Sequence, residues 1–420
     1  MKNKVLPDLI NRRTFIRKVL AAGSVLFLGF KRKTSSITPF EHITIKNMKL
    51  RNRFVRSATY DGYANISGHV TEEQIKLFSD LATGGVGLII TGMTNVHHSG
   101  QISPFQNSIA SDDCIPGLKS LTDAVHNLGA KIAAELAHAG KEAAWFLGSK
   151  NKEAIAPSFV SDDTYFEGKY RKMTEDEISE IVCAFGDGAI RAREAGFDAV
   201  QLHGAHAYLL SQFLSPFTNR RIDNWGGPLR NRLRIHQEIY RDIRSKVGED
   251  YPVMIKLGVQ DGFQGGLKLE EGILAAKVFA EWGFDVLEIS QGLRGEWYEG
   301  TEFRTEINSI DKEGYFRSWC KGIKNQVKVP VSLVGGLRSF KLINEIIQNN
   351  EADLISLSRP LIREPDLIND WKVGDLHRAK CISCNLCLQA VMSLQKLHCV
   401  QRTIADDNDK QGVKSPFYFC

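Results

Sequence analysis

Two groups of residues in this 420-residue chain have the types and spacing of reactive sites. The first lies in "QLHGAHAYLL" (201–210), where His203, His206 and Tyr208 fall within six residues. Imidazole N–H groups stabilise negative charge developing on an oxygen, and a phenol can deliver a proton. A lone histidine is more often a satisfied structural group, which is the reading given to His138. Two histidines and a tyrosine together read as a site. The second group is Cys381, Cys384, Cys387 and Cys399, spaced C-x2-C-x2-C-x11-C, a metal-ligand pattern. Cys114, Cys183, Cys320 and Cys420 stand outside it.

The elements that must position these groups recur with a regular rhythm. Eight short apolar runs are "RFVRS" (53–57), "VGLIIT" (86–91), "AKIAAEL" (130–136), "FDAVQLH" (197–203), "YPVMIKL" (251–257), "FDVLEIS" (284–290), "VPVSLVG" (329–335) and "ADLISLS" (352–358). Between them lie stretches of helical period, among them 71–82, 174–196, 269–283 and 339–350. Thr71 can cap the first of these, and Thr174 with Glu177 the second. Continuous apolar strands alternating with helices predict a parallel sheet buried on both faces, and eight strands close a barrel. The expected fold is α/β, a (β/α)8 TIM barrel over 39–375 with a cysteine-rich extension over 376–420. An open doubly wound sheet would want a G-x-G-x-x-G turn after an early strand, and none is present.

Such barrels carry their chemistry at the C-terminal strand ends. Those ends read Ser57-Ala58-Thr59, Thr91-Gly92, Glu135 with His138, His203 with His206, Lys256, Ser290-Gln291, Gly335-Gly336 and Ser358-Arg359. The last two, in "VGGLRS" and "SLSRP", form the expected phosphate cradle and imply a phosphorylated cofactor.

The net charge of +5 is misleading. Residues 1–33 hold nine Lys or Arg against one acid, so the remainder carries about −3. That excludes a basic nucleic-acid-binding surface as the organising feature. "NRRTFIRK" (11–18), followed by the twelve-residue run "VLAAGSVLFLGF", predicts a twin-arginine-like signal over 1–38. The run is too short to span a bilayer. No clean cleavage site precedes "KRK" (31–33), which leaves open whether the segment is removed or holds the protein at the membrane. The expected location is periplasmic. Because that route carries folded proteins, a metal cluster loaded in the cytoplasm would survive export.

The run "HGAHAYLLSQFLSPFTNRRIDNWGG" (203–227) resembles the old yellow enzyme family of FMN-dependent NADH:flavin oxidoreductases. So do "NRFVRSAT" (52–59), "LAHAGK" (136–141) and "SRPLIREPDL" (358–367). The resemblance covers roughly 40–400 and implies FMN as the cofactor. It places Ser57, Ala58, Thr59 and Gly92 against the flavin ring, and Gly335, Gly336, Ser358 and Arg359 on its phosphate. It makes His203 and His206 the substrate-oxygen donors and Tyr208 the proton donor. Three positions depart from the family: Glu135 replaces a usual glutamine, and Lys256 and Lys141 replace arginines. A carboxylate cannot donate to a flavin carbonyl unless protonated, and Lys256 can supply the cation that reduced flavin needs. Lys256 can also neutralise Glu135.

Longer members, resembling trimethylamine dehydrogenase and dienoyl-CoA reductase, carry a similar cysteine set that binds [4Fe–4S], which four thiolates suit. Zinc and two disulfides are the alternatives. Those members continue into a nucleotide-binding half that does not follow here. The expected activity is reduction of an activated C=C bond in a small molecule, with a redox-partner protein feeding electrons through the cluster. The alternatives are an amine dehydrogenase, with Trp145, Trp297 and Tyr298 as candidate aromatic walls, and a non-catalytic flavin carrier. A homo-oligomer is compatible with either.

Overall fold

The computed structural model describes residues 37–148, 152–163, 166, 168–295 and 300–402. The expected signal segment therefore lies outside the described residues up to position 36, as do Trp297, Tyr298, Cys420 and the side chain of Trp145.

All eight expected strands form. They are β1 (Phe54–Arg56), β2 (Leu88–Ile90), β3 (Lys131–Ala137), β4 (Ala199–Gly204), β5 (Val253–Gly258), β6 (Val286–Ser290), β7 (Val331–Leu333) and β8 (Leu354–Leu357). Every neighbouring pair is parallel, and β8 returns to pair with β1, which closes the barrel. Helices α1 (Glu72–Thr83), α2 (Ile115–Asn127), α3 (Glu175–Glu194), α4 (Arg234–Val247), α5 (Leu269–Trp282), α6 (Arg317–Lys324) and α7 (Phe340–Gln348) fill the crossovers. The caps are those anticipated. The Thr71 hydroxyl accepts from the Gln74 N–H at 3.3 Å, and Thr174 and Glu177 form a complete capping box on α3.

Side chains alternate between two cores, as the period of a strand requires. Phe54, Ile89, Ile132, Val200, Ile255, Leu287 and Ile355 face the helices. Val55, Leu88, Ala133, Ala199, Met254, Val286 and Leu354 face the barrel interior. An antiparallel hairpin, Ile43–Ile45 with Met48–Leu50, drives Ile45, Met48 and Leu50 into the same interior cluster. Its three-residue strands are too short for a periodic signal. The hairpin plugs the N-terminal end of the barrel.

The consequence for chemistry comes two residues further along most of the strands. There the inward positions turn polar: Ser57, Glu135, Gln201, Lys256, Glu288 and Ser356, all buried. His203 and Ser290 follow one step higher. The extension after the barrel is tied back onto it. The Ala379 N–H donates to the Arg338 carbonyl at 3.0 Å, the Leu397 N–H to the Asp61 carbonyl at 2.8 Å, and Arg378 to Glu313 at 2.9 Å. No helix among the described residues is long and apolar enough to cross a membrane.

Candidate active site

A cavity of about 810 Å³ opens at the C-terminal ends of the strands. It runs from Tyr208 and His206, past Lys256, to Gly335, Gly336 and Arg359. Ser57, Ala58, Thr59 and Ser358 line it as well. Gly92, Glu135 and His203 are buried just behind the lining. Gly92 is needed for close approach, since a Cβ there would lie 2.7 Å from the Thr59 carbonyl oxygen.

At one end the chain leaves β4 in a conformation most residues avoid. His206 and Ala207 have φ of 58° and 64°, a costly left-handed pair held by bonds to another strand end. The His206 N–H donates to the Gln291 carbonyl at 3.0 Å and the Ala207 N–H to that of Gly292 at 3.1 Å. His206 Nε2 stands 2.7 Å from Ser290 Oγ. The His203 ring packs edge-on to both His206 and Tyr208, with centroids 5.0 and 4.7 Å away. Burial, reinforced by the charges of Lys256 and Arg294, holds both imidazoles neutral, well below the usual histidine range. Burial pushes the Tyr208 phenol up to about 12, although Arg294 pulls it down. The Arg294 guanidinium lies 5.6 Å over the Tyr208 ring and pairs with Glu302 at 2.9 Å and Glu142 at 3.5 Å. His138 is the structural group expected, bonded to Ser99 and to the Gly140 N–H.

The middle of the cavity rests on a buried charge cluster. Lys256 Nζ is 3.0 Å from Glu135 Oε1 and 3.7 Å from Glu288 Oε2. The pairing of Lys256 with Glu135 was legible; Glu288 was not singled out. Ser57 Oγ and Gln201 Nε2 donate to the two Glu288 oxygens at 2.6 and 3.0 Å. Burial works against the Lys256 ammonium, yet Glu135 and Glu288 outweigh it and hold its pKa above the ordinary value.

The far end is an anion cradle. Gly335 and Gly336 have φ of 125° and 70°, and a Cβ on either would come within 2.9 Å of the Tyr315 ring. Among the described residues none accepts from the N–H groups of Gly335, Gly336 or Leu337. Arg338 lines the same end, and its Nε and Nη2 are buried with no partner. Two unsatisfied guanidinium nitrogens beside free backbone donors form a site that a phosphate would complete.

Cys381, Cys384, Cys387 and Cys399 converge on one small adjoining cavity. Arg359, Asn385 and Cys387 line both cavities. No disulfide joins cysteines among the described residues. The His/Cys/Asp/Glu trio there whose ligand atoms all lie within 4.8 Å is His69, Asp113 and Cys114, not any three of these four.

A profile described as the NADH:flavin oxidoreductase / NADH oxidase family matches residues 39–375. The chain belongs to that family. An NADH oxidase of Thermoanaerobacter brockii is 35% identical over 380 residues, covering 90% of this chain and 57% of the relative. The chain thus spans little more than half of that protein. An NADPH dehydrogenase of Halalkalibacterium halodurans is 36% identical over 328 residues, 78% of this chain and 91% of the relative. A 2-naphthoyl-CoA reductase complex superposes with a TM-score of 0.79 at 26% identity, over 86% of this chain and 56% of that one.

The family's FMN suits this cavity at both ends. The cradle offers donors for a phosphate, and Lys256 offers a cation for the ring. Replacing Arg338 by alanine should weaken FMN binding about 10- to 100-fold, the loss of charge-assisted bonds worth about 1.5–3 kcal/mol. Flavin release in a dilution series would measure it.

Proposed function

We propose that the chain is an FMN-dependent reductase of activated C=C bonds in small molecules, with electrons reaching the flavin through a [4Fe–4S] cluster. The observation that carries this reading is the shared wall. One continuous cavity joins Tyr208 to the anion cradle and meets the four-cysteine cavity at Arg359, Asn385 and Cys387.

Bound FMN would supply hydride to the β-carbon of the alkene. The chain's own groups supply the rest. His206, held by Ser290, faces the cavity and is positioned to donate to the activating oxygen, with His203 packed against it as support. Tyr208 holds its proton throughout the neutral range and releases it to the α-carbon. Arg294, 5.6 Å over the phenol ring, stabilises the charge left behind. Since the Tyr208 phenol titrates near 12, turnover should show no Tyr208-dependent break near neutral pH and should fall only as pH approaches that value. A pH–rate profile read against that of the phenylalanine variant tests this.

The cysteines would serve as cluster ligands. Burial raises the thiols of Cys381 and Cys387, the latter to about 11, so thiolate there needs a cationic partner such as iron. We propose export through the twin-arginine-like segment, which would separate the enzyme from NAD(P)H and give the cluster its purpose. The names of the two sequence relatives favour direct reduction by NADH or NADPH instead. Mixing anaerobic holoenzyme with NADH and with a low-potential electron carrier separates the two routes. Faster flavin reduction by the carrier supports the relay, and equal rates would sink it.

One observation favours an amine substrate as a second reading. Glu302 Oε2 is buried beside the cavity without a partner, and Arg294 is a single cation between Glu142 and Glu302. Bleaching of the oxidised flavin by a small amine would support it.

A further inference from the structure

We propose that Glu135 is the proton partner of the flavin, its carboxylate taking one proton from solvent when two electrons enter the site and returning it on reoxidation. The inference rests on the FMN reading above and concerns how this chain balances charge around that group.

Three ionisable side chains sit within the barrel at 2% exposure or less: Glu135, Lys256 and Glu288. Fully ionised, they carry one net negative charge away from water. Every element packed against Glu135 leaves that charge uncompensated. From β5 comes Lys256, at 3.0 Å. From β6 comes a second acid, Glu288, on the same ammonium. From β4 come Gln201, which is uncharged, and His203, which burial keeps neutral. From β2, Thr91 Oγ1 only accepts the Glu135 N–H, at 3.0 Å. The next cations are committed elsewhere, Arg56 to the Ser358 carbonyl and Arg294 to Glu142 and Glu302.

The two acids are not equivalent. Both Glu288 oxygens accept neutral hydrogen bonds, from Ser57 and Gln201. Glu135 is held by Lys256 Nζ on Oε1, while its Oε2 faces His203 Nε2 at 3.9 Å, beyond hydrogen-bond distance. Burial pushes the Glu135 carboxyl up to about 7 against the pull of Lys256. It is therefore the member of the cluster poised to change state near neutral pH. His203 is the side chain next to that oxygen, its Nε2 facing the carboxylate while its Nδ1 accepts the Ala205 N–H at 3.4 Å.

The balance closes without another reactant. Bound FMN would take two electrons, supplied by the low-potential carrier of the reading above, together with one proton, and Lys256 is the cation this chain offers in the cavity to the negative charge that would remain. That added charge raises the Glu135 pKa further, and a second proton passes from water to its Oε atom. A glutamine at this position could not take that proton.

The test is the flavin midpoint potential of anaerobic holoenzyme against pH, for the natural protein and for Glu135→Gln. Each proton taken up with two electrons contributes about 30 mV per pH unit. The natural enzyme should show about 59 mV per pH unit just above neutral, and the variant about 30. Equal slopes in a variant that retains flavin would overturn the inference and leave the flavin reading intact. A preparation that binds no flavin would overturn both. Should the variant lose its flavin, the natural holoenzyme still decides. A protonated-carboxyl band appearing in the reduced-minus-oxidised infrared spectrum supports the proposal, and its absence overturns it.

Discussion

Replacing Tyr208 by phenylalanine is expected to lower turnover with an activated alkene by about 10²- to 10⁴-fold, the usual worth of a positioned general acid. The substitution removes the hydroxyl alone. The ring keeps its edge-on contact with His203 and its place beneath Arg294, so the fold should be retained and flavin content should not change. Stopped-flow reoxidation of the reduced flavin by the alkene isolates the step. Loss confined to this half-reaction, with reduction unaffected, is the expected result. Unchanged reoxidation would assign the proton to another donor.

Replacing Cys387 by serine is expected to abolish iron binding, from about four irons per chain to near none. Three thiolates and a serine hydroxyl would not offer the four soft ligands that the proposed cluster needs, and Cys387 is the one of the four proposed ligands that also lines the larger cavity. The barrel is expected to survive, because its closed sheet and interior core involve none of the four cysteines. FMN should remain reducible by dithionite while reduction by a protein electron carrier is lost. Iron analysis, flavin content and carrier-driven reduction of the same preparation check all three. A variant that keeps its iron would remove Cys387 from the ligand set.

The barrel was legible because each strand is a run of apolar residues bounded by glycine or a cap, and eight such runs have one closed solution. The candidate site was legible where its residues sat at strand ends in plain order, as with His206, Tyr208 and the Gly335-Gly336 pair, all of which line the cavity. What was missed depended on three dimensions. Glu288 lies in the middle of "FDVLEIS", and its carboxylate matters because alternation turns it inward beside Val286 and Ser290. That alternation was available as a signal. Arg338 lies within the quoted "VGGLRS", but its unsatisfied nitrogens follow from how the loop turns toward Cys381. Arg294 and Glu302 come from the connection after β6 and Glu142 from a short turn after β3, with no periodicity to mark them. Glu135 was expected to touch the cofactor and His203 a substrate oxygen, and both instead lie buried behind the cavity wall. A further strand pair, Ala154–Ala156 with Tyr170–Lys172, left no periodic trace for the same reason as the hairpin at the base.

The most direct measurement is an anaerobic purification followed by a visible spectrum and FMN, iron and zinc counts on one sample. The account predicts about one FMN and about four irons per chain, with broad absorbance underlying the flavin bands. FMN with zinc or with no metal at all would contradict the relay, make the cysteine segment structural, and require electrons to reach the flavin directly.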